Sequence, residues 1–267
     1  MLRSFLRLAG AVCVCALPVA LPGCAVDPAA AVAAQQTAVA QDPAALTRIG
    51  EKAEQDGDTA SAAAFFQKAA ASDAAPPGAV IGHARTLAGA GDMGGAEAAL
   101  AAGLQRHPGD VALATALGRL QIVAGEPNSA VTTFRSALAR SPDDVGLLTG
   151  LGVAQDSAGL HAEAQASYHR VLDRVPDNVA AQNDLALSLA LTGDLPRSLQ
   201  ILQDLRERGL GSRAPVVAGN LALVYGLLGH EQDAARVNRP AVTASELAEN
   251  LQTYAALRGG FPRPALR

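Results

Sequence analysis

Small and large apolar residues recur with a fixed period between residues 43 and 248. Glycine marks the period most clearly, and its positions are Gly57, Gly91, Gly125, Gly159, Gly193 and Gly229. The first five recur at a constant interval of 34, and the last interval is 36. A self-similar pattern of this length is the mark of a repeat architecture, with one supersecondary unit for each period.

Other positions keep the same register around the repeated glycine. A small residue stands seven positions before it and another five positions after it, as Gly118 and Ala130 do around Gly125. Large residues stand eight positions before and nine after, as Leu117 and Phe134 do. Two antiparallel helices can approach closely at the small positions while the large residues fill the groove beside them. Each period therefore predicts a helical hairpin whose turn glycine adopts the left-handed conformation.

Prolines and a capping pattern mark the boundaries of these helices. Pro127 and Pro196 follow turn glycines, where a proline at the start of a helix loses no hydrogen bond. Three prolines that end second helices recur with the same period, at Pro108, Pro142 and Pro176.

A last helix is predicted after the sixth period. Thr243 and Glu246 have the spacing of a capping box, and an apolar stripe of Leu247, Leu251 and Tyr254 follows them. We expect this helix to cap the end of the repeats and to stop at Gly259-Gly260.

The 34-residue helix–turn–helix with these positions resembles the tetratricopeptide repeat, over residues 43–248. The resemblance implies an all-α, right-handed solenoid of about six helical hairpins with a C-terminal capping helix. Tryptophan is absent, His83 replaces an aliphatic residue, and Asn238 with Pro240 weakens the last second helix. Two extra residues around Leu210 predict a longer joint between the fifth and sixth hairpins. We expect His83 to be a partly buried histidine with its hydrogen bonds satisfied.

The same resemblance implies a binding groove on the concave surface lined by the first helices. The predicted groove residues are Arg85, Thr115, Arg119, Thr149, Val153, Asn183 and Leu187. This face starts cationic and polar and becomes apolar toward Leu223, which suits a protein segment with a carboxylate at one end and apolar side chains at the other. The alternative is an ordinary solvated helix face. The lysine-and-asparagine carboxylate clamp of chaperone-binding members is not recognisable.

The N-terminal stretch is typical of an export signal. Arg3 and Arg7 precede a charge-free run from Leu8 to Leu21, which is too short for a membrane span of about 20 residues. Leu21-Pro22-Gly23-Cys24 resembles a bacterial lipobox, from which only Pro22 departs. The resemblance implies cleavage before Cys24 and its lipidation. Ordinary cleavage at a small-residue site is the alternative.

Cysteine usage favours the lipoprotein interpretation. Cys13 and Cys15 lie within residues 1–23, so Cys24 would be the only thiol of the mature chain. Ala25 follows it, which in the resembling class implies the outer membrane, facing the periplasm. We therefore expect a signal peptide at 1–23, a lipidated cysteine and flexible tether at 24–42, six repeats at 43–248 and a capping helix and tail at 249–267.

Charge and composition argue against nucleic acid as a partner. Removal of residues 1–23 takes away two of the 21 basic residues and none of the 25 acidic ones, which lowers the formal net charge from −4 to −6. Aromatic residues make up 3%, and there is no basic tract.

Motifs for catalysis, cofactors and metals give no support for an enzyme. The string GAGDMG at residues 89–94 matches a dinucleotide-binding pattern, but a helical segment precedes it where a strand is required. The five histidines are scattered, and His161 and His169 are expected at the surface of one hairpin. We therefore expect no enzyme activity, no cofactor and no metal.

The layout of the whole chain suggests a function. An exported lipoprotein with six repeats and a terminal ENLQTYAALRG helix resembles the assembly lipoproteins of tight-adherence (Flp) pili. Membership would imply an outer-membrane factor that helps a pilus secretin assemble. The alternatives are a type IV pilotin-like factor with the same kind of partner, and a periplasmic scaffold for cell-envelope enzymes or outer-membrane protein insertion. The oligomeric state stays open.

Overall fold

The computed structural model describes residues 42–208, 214–238 and 243–258, which form 13 α-helices and no strand. The first helices of the six hairpins are α1 (Pro43–Gln55), α3 (Pro77–Gly89), α5 (Val111–Val123), α7 (Val145–Ser157), α9 (Val179–Leu191) and α11 (Ala214–Leu228). The second helices are α2 (Thr59–Ala70), α4 (Met93–Arg106), α6 (Pro127–Leu138), α8 (His161–Leu172), α10 (Leu195–Glu207) and α12 (Glu231–Asn238). The last helix is α13 (Ala244–Arg258). The predicted all-α repeat fold is confirmed.

Some predictions concern residues outside this description. They are the signal peptide, Cys24 with most of its tether, the extra residues around Leu210, Pro240 and the Gly259-Gly260 stop.

A glycine–aspartate pair builds several of the hairpin turns. Gly91 adopts φ 87°, a left-handed conformation that ends α3 without the cost a β-carbon would bring. Asp92 then caps α4, because its side chain accepts a 2.8 Å hydrogen bond from the amide of Gly95. The other five turn glycines also have positive φ, which confirms the predicted turn conformation.

The first helices form the more closely packed side of the solenoid. Each of them contacts its own second helix, the first five also contact the first helix of the next hairpin, and α11 contacts α13. In the described part of the chain, second helices have no comparable contact with one another. First helices therefore line the inner face and second helices the outer face, as in other stacked helical hairpins.

Large aromatic side chains pack into notches formed by glycines of two successive hairpins. A β-carbon on Gly50 would lie 2.9 Å from the Phe66 ring, and one on Gly82 of the next first helix would lie 2.5 Å from it. Phe66 is completely buried between them. Gly150 stands in the same relation to Phe134, at 2.5 Å. The predicted role of the small residues is confirmed, but the second wall of each notch was missing from the prediction.

The C-terminal helix packs on the last hairpin through one aromatic residue. Tyr254 is buried against Gly226 of α11, where a β-carbon would overlap the Tyr254 β-carbon and ring. The capping box is confirmed: the Thr243 amide donates to Glu246 Oε2 at 2.7 Å, and the Glu246 amide donates to Thr243 Oγ1 at 3.3 Å. The Thr243 amide, and then the Thr243 hydroxyl, which donates to the same Glu246 oxygen at 2.7 Å, lower the pKa of Glu246. Among the described helices, none has the length and apolar character needed to cross a bilayer.

Candidate functional site: a cleft on the inner face

A cleft of about 500 Å³ opens on the inner face, between the first helices α5, α7 and α9. It brings together three of the seven predicted groove residues: Arg119 from α5, and Thr149 and Val153 from α7. Ile122 and Val179 add apolar surface. We call this site the inner cleft. It presents apolar surface together with charges of both signs, which suits recognition of a polypeptide segment.

Arg119 supplies the positive charge of the inner cleft. Its side chain is exposed and has no ion pair or hydrogen bond within the described residues. Thr149, by contrast, is half-buried, and its hydroxyl donates to the backbone oxygen of Val145 at 2.8 Å. Of the two predicted polar residues that line the inner cleft, Arg119 is therefore the one whose side chain is free to bind a ligand.

Arg85, one repeat earlier, does not lie in the inner cleft. Its guanidinium forms an ion pair with Glu54 and lies 5.9 Å from the centre of the Phe66 ring. It lines a separate depression between the first two hairpins, together with Thr59. The predicted cationic start of the groove is therefore partly neutralised at Arg85.

Register explains why the two arginines differ. Arg119 follows Arg85 by one repeat period, and Ala88 follows Glu54 by the same interval. The first helix of the hairpin before Arg119 thus carries alanine at the position where the first helix of the hairpin before Arg85 carries the neutralising Glu54. Arg119 therefore has no carboxylate partner within the described residues, and its charge is not neutralised.

The structure also shows an acidic residue of the inner cleft that the sequence analysis missed. Asp184 of α9 lines the cleft, and burial raises the pKa of its carboxyl. A hydrogen bond from the Asn183 amide, at 3.2 Å, lowers that pKa, whereas the nearby Asp156 charge raises it. The preceding repeats carry Gly82, Ala116 and Gly150 at this position, so a carboxylate there was a signal available in the sequence.

The other three predicted groove residues lie elsewhere on the inner face. Asn183 is only 7% exposed, and its side-chain oxygen accepts a 2.7 Å hydrogen bond from the Asn220 amide. It joins α9 to α11, so its prediction as a partner-contacting residue needs correction. Thr115 and Leu187 are half-buried, and neither lines the inner cleft.

A buried polar cluster beside the cleft connects three helices. The carboxylate of Asp156 accepts hydrogen bonds from His161 Nδ1 at 2.8 Å, the Tyr168 hydroxyl at 3.0 Å and the Ser188 hydroxyl at 2.7 Å. Burial, then the charges of Asp156 and Asp184, raise the pKa of Tyr168. The cluster ties α7, α8 and α9 together and so holds two walls of the inner cleft in place.

This cluster contains serine, histidine and aspartate, but not in the arrangement of a nucleophilic triad. In such a triad the histidine lies between the serine and the acid, whereas here Ser188 and His161 both bind the carboxylate of Asp156. Ser188 is also completely buried. The prediction that His161 is a surface residue was wrong, since it is half-buried in this cluster, whereas His169 is exposed as expected.

His83 also differs from expectation. It is half-buried, but its Nδ1 has no hydrogen-bond partner among the described residues, and burial lowers its pKa. The predicted partial burial of His83 is confirmed, but the prediction that its hydrogen bonds are satisfied was wrong. The described residues contain no group of three or more His, Cys, Asp or Glu side chains that could hold a metal ion.

Comparison with known families identifies the repeats. Models of the tetratricopeptide repeat match residues 53–120, 87–151 and 149–212, which together cover more than half of the chain. Among curated protein sequences, none matches.

Solved structures share the architecture at low sequence identity. PilW, described as a widely conserved type IV pilus biogenesis factor, superposes with a TM-score of 0.66 at 20% identity, over 79% of this chain and 97% of its own. A tetratricopeptide repeat protein from Parabacteroides merdae gives 0.61 at 14% identity, over 79% and 98%. MamA from Desulfovibrio magneticus gives 0.54 at 18% identity, over 64% and 98%. At these identities the likeness concerns the fold alone.

Proposed function

The chain belongs to the tetratricopeptide repeat family, and from this premise we propose that it is a lipid-anchored, non-enzymatic scaffold that binds a component of a pilus assembly apparatus at the outer membrane. Tetratricopeptide repeats are protein-interaction modules, and this chain is a scaffold of that kind. The observation that carries the proposal is the inner cleft, with an unpaired Arg119, a half-buried Asp184 and apolar walls.

The chemistry of the inner cleft favours a peptide segment with side chains of several kinds. Arg119 can form a bidentate contact with an aspartate or glutamate of the partner. Asp184 can accept hydrogen bonds from an amide, hydroxyl or basic side chain, and such a bond would compensate the desolvation that raises its pKa. Ile122 and Val153 offer contact to an apolar side chain between these polar ends.

Anchoring at the membrane follows from the lipobox-like sequence before Cys24. A tether of about 18 residues, if it behaves as a flexible coil, spans roughly 23 Å on average. A lipid on Cys24 would thus keep the repeats close to the outer membrane. Confinement raises the effective concentration of the inner cleft for a membrane-embedded partner without adding any contact.

A pilus secretin is the partner that best fits this arrangement. The order of lipobox, tether, repeats and terminal ENLQTYAALRG helix resembles TadD, the assembly lipoprotein of tight-adherence pili. The scaffold would hold secretin subunits at the outer membrane while the pore assembles. The fold likeness to PilW favours a second candidate, a pilotin-like factor of a type IV pilus, which would act on the same kind of pore.

An affinity purification from membranes tests the proposal. The full chain carries a C-terminal tag, and the proteins that co-purify after mild detergent extraction are identified by mass spectrometry. We expect a pilus secretin with the wild-type chain and much less of it with Arg119→Glu. Gln165→Glu, on the second helix α8, is the control and should recover as much secretin as the wild type. Recovery of envelope enzymes without any secretin would contradict the pilus proposal.

A further inference from the structure

An arginine stands in the same register at the end of four second helices, as the last helical residue or within two residues after it. These residues are Arg106, Arg140, Arg174 and Arg208, each one repeat period after the last. Three of them bind to the loop that precedes their own hairpin. Arg106 donates to the backbone oxygen of Ser72 at 3.0 Å, Arg174 forms an ion pair with Asp143, and Arg208 pairs with Asp177 at 3.2 Å. Arg140 alone has no such partner within the described residues.

Arg140 lacks the carboxylate that Arg174 and Arg208 have. Asp143 and Asp177 are one repeat period apart, and the residue one period before Asp143 is Gly109. The loop that faces Arg140 therefore carries glycine where the next two loops carry aspartate. Asp110 beside it does not replace that carboxylate, because it caps α5 by accepting a 2.8 Å hydrogen bond from the Leu113 amide and makes no ion pair with Arg140.

A cavity of about 350 Å³ lies at the same place. Arg140 stands on its wall, and the rest is largely apolar, with Ala101 and Leu104 from α4, Leu117 from α5 and Ala137 from α6. We call it the Arg140 cavity. It shares no residue with the inner cleft.

We propose that the Arg140 cavity is a second docking site, which takes an acidic side chain of a partner protein together with an adjacent apolar side chain. The partner's carboxylate binds the Arg140 guanidinium in place of the aspartate that the neighbouring repeats supply. The apolar side chain packs against Leu104 and Ala137. This site is independent of the inner cleft and of the proposed pilus function.

Charge complementarity selects a protein carboxylate as the occupant. The guanidinium fork matches a carboxylate in geometry, and this chain satisfies two of the equivalent arginines in that way. Nucleic acid binding depends on several cations along a backbone, whereas one arginine lines this cavity, beside the carboxylate of Asp110. The apolar walls favour a neighbouring aliphatic or aromatic side chain, which an isolated phosphate would not supply.

A substitution at Gly109 can occupy Arg140 with a carboxylate of the chain itself. A β-carbon added there has no neighbour within 4 Å, and Gly109 does not have a positive φ. Gly109→Asp should therefore fold normally and give Arg140 the internal partner that Arg174 and Arg208 have. Gly109→Asp should therefore block the binding of an external carboxylate to Arg140, because it supplies the ion pair found in the next two repeats.

The experiment uses the absence of tryptophan from the full chain, which makes a tryptophan-containing peptide the only source of indole fluorescence. The probes are acetyl-Trp-Glu-Leu-amide and its Gln counterpart, and the full chain in detergent is added to concentrations on the order of 1 mM. We expect the Glu peptide to bind at least roughly tenfold more tightly than the Gln peptide, as a charge-assisted pair requires.

The variants separate this site from the others. Arg140→Gln and Gly109→Asp should each reduce the affinity for the Glu peptide to that for the Gln peptide. Every protein in this assay carries Arg119→Gln, so that the inner cleft offers no free arginine to the peptide. In that background Arg174→Gln should leave the affinity for the Glu peptide unchanged, and circular dichroism verifies that every variant is folded. Equal affinity for the two peptides, no binding of the Glu peptide, or full binding by Gly109→Asp would each overturn the proposal.

Discussion

Arg85 and Arg119 occupy the same position of consecutive repeats, but only Arg85 has a carboxylate partner inside the described chain. Glu54 forms an ion pair with Arg85, and alanine takes its place before Arg119. In the same way, Arg174 forms an ion pair with Asp143, whereas Arg140 has no carboxylate partner within the described residues. In a repeat protein an arginine without its usual partner stands out against its own neighbours, and such a position is a strong candidate for ligand contact.

The first prediction separates these two arginines by charge reversal. Arg119→Glu should weaken partner binding by at least roughly tenfold, because it reverses the unpaired charge of the inner cleft. Arg85→Glu should have a smaller effect, since Arg85 is already neutralised by Glu54 and lies outside the cleft. The measurement is the amount of secretin that co-purifies with each variant. A larger loss for Arg85→Glu would move the binding surface toward the first two hairpins.

The second prediction concerns the glycine notches. Gly150→Ala should destabilise the fold by about 1–3 kcal/mol, because its β-carbon would lie 2.5 Å from the buried Phe134 ring. Gly152→Leu and Ala164→Leu, which force larger groups toward the interior of the fourth hairpin, should cost as much or more. Unfolding in urea, followed by circular dichroism, gives the free energies of unfolding.

Gly94→Ala is the matched control for this prediction. It makes the same chemical change at an exposed helical position with nothing within 4 Å of the new β-carbon. It should be neutral or stabilise by up to about 1 kcal/mol. If Gly150→Ala and Gly94→Ala were equally stable, close packing at the notch would not be needed for stability.

The third prediction concerns Asp184. Its pKa is raised above the unfolded value of 3.8, so the folded state binds more protons than the unfolded state between 3.8 and the raised pKa. Stability therefore falls as the pH rises through that window, and the cost of the buried charge is complete above it. Asp184→Asn should stabilise the protein at pH 7, and the gain should shrink as the pH approaches 3.8.

A pH series of unfolding free energies for Asp184→Asn and the wild type gives this difference directly. Ionisable groups that are distant from Asp184 are present in both proteins, so their contributions cancel in the difference. The same variant should weaken partner binding, as expected where a functional residue costs stability. A variant that is less stable than the wild type at pH 7 would show that the carboxylate is held by favourable contacts.

The fourth prediction concerns the anchor. Cys24→Ser should remove the lipid attachment, so the protein should either be released in soluble form or remain unprocessed. Intact-mass measurement and partitioning into detergent distinguish these outcomes from the lipidated wild type. A variant with the same lipid mass and the same partitioning as the wild type would eliminate Cys24 as the lipidation site.

The periodic features of the fold could be predicted from the sequence because each depends on residues close together in the chain. The left-handed turn glycines and the Thr243–Glu246 capping box are of this kind. The second wall of the Phe66 notch was harder to predict, because Gly82 comes from the next hairpin and acts only after the hairpins stack.

The inner cleft could be predicted only in part for the same reason. The first-helix register pointed to Arg119, Thr149 and Val153 as residues of one face, and the structure brings these three together. Whether an arginine is free depends on a residue in the preceding repeat, as Glu54 shows for Arg85. Asn183 is buried where α9 packs against α11, and there it accepts a hydrogen bond from Asn220. This burial depends on how the two helices pack.

Site-specific photo-crosslinking in living cells tests the central claim most directly. A photoreactive amino acid replaces Val153 in the inner cleft or, as the control, the exposed Ala166 on the second helix α8, with Cys24 intact. We predict that position 153 crosslinks to a pilus secretin and that position 166 does not. Secretin crosslinks at position 166 and none at position 153 would contradict the claim that the inner cleft binds the partner.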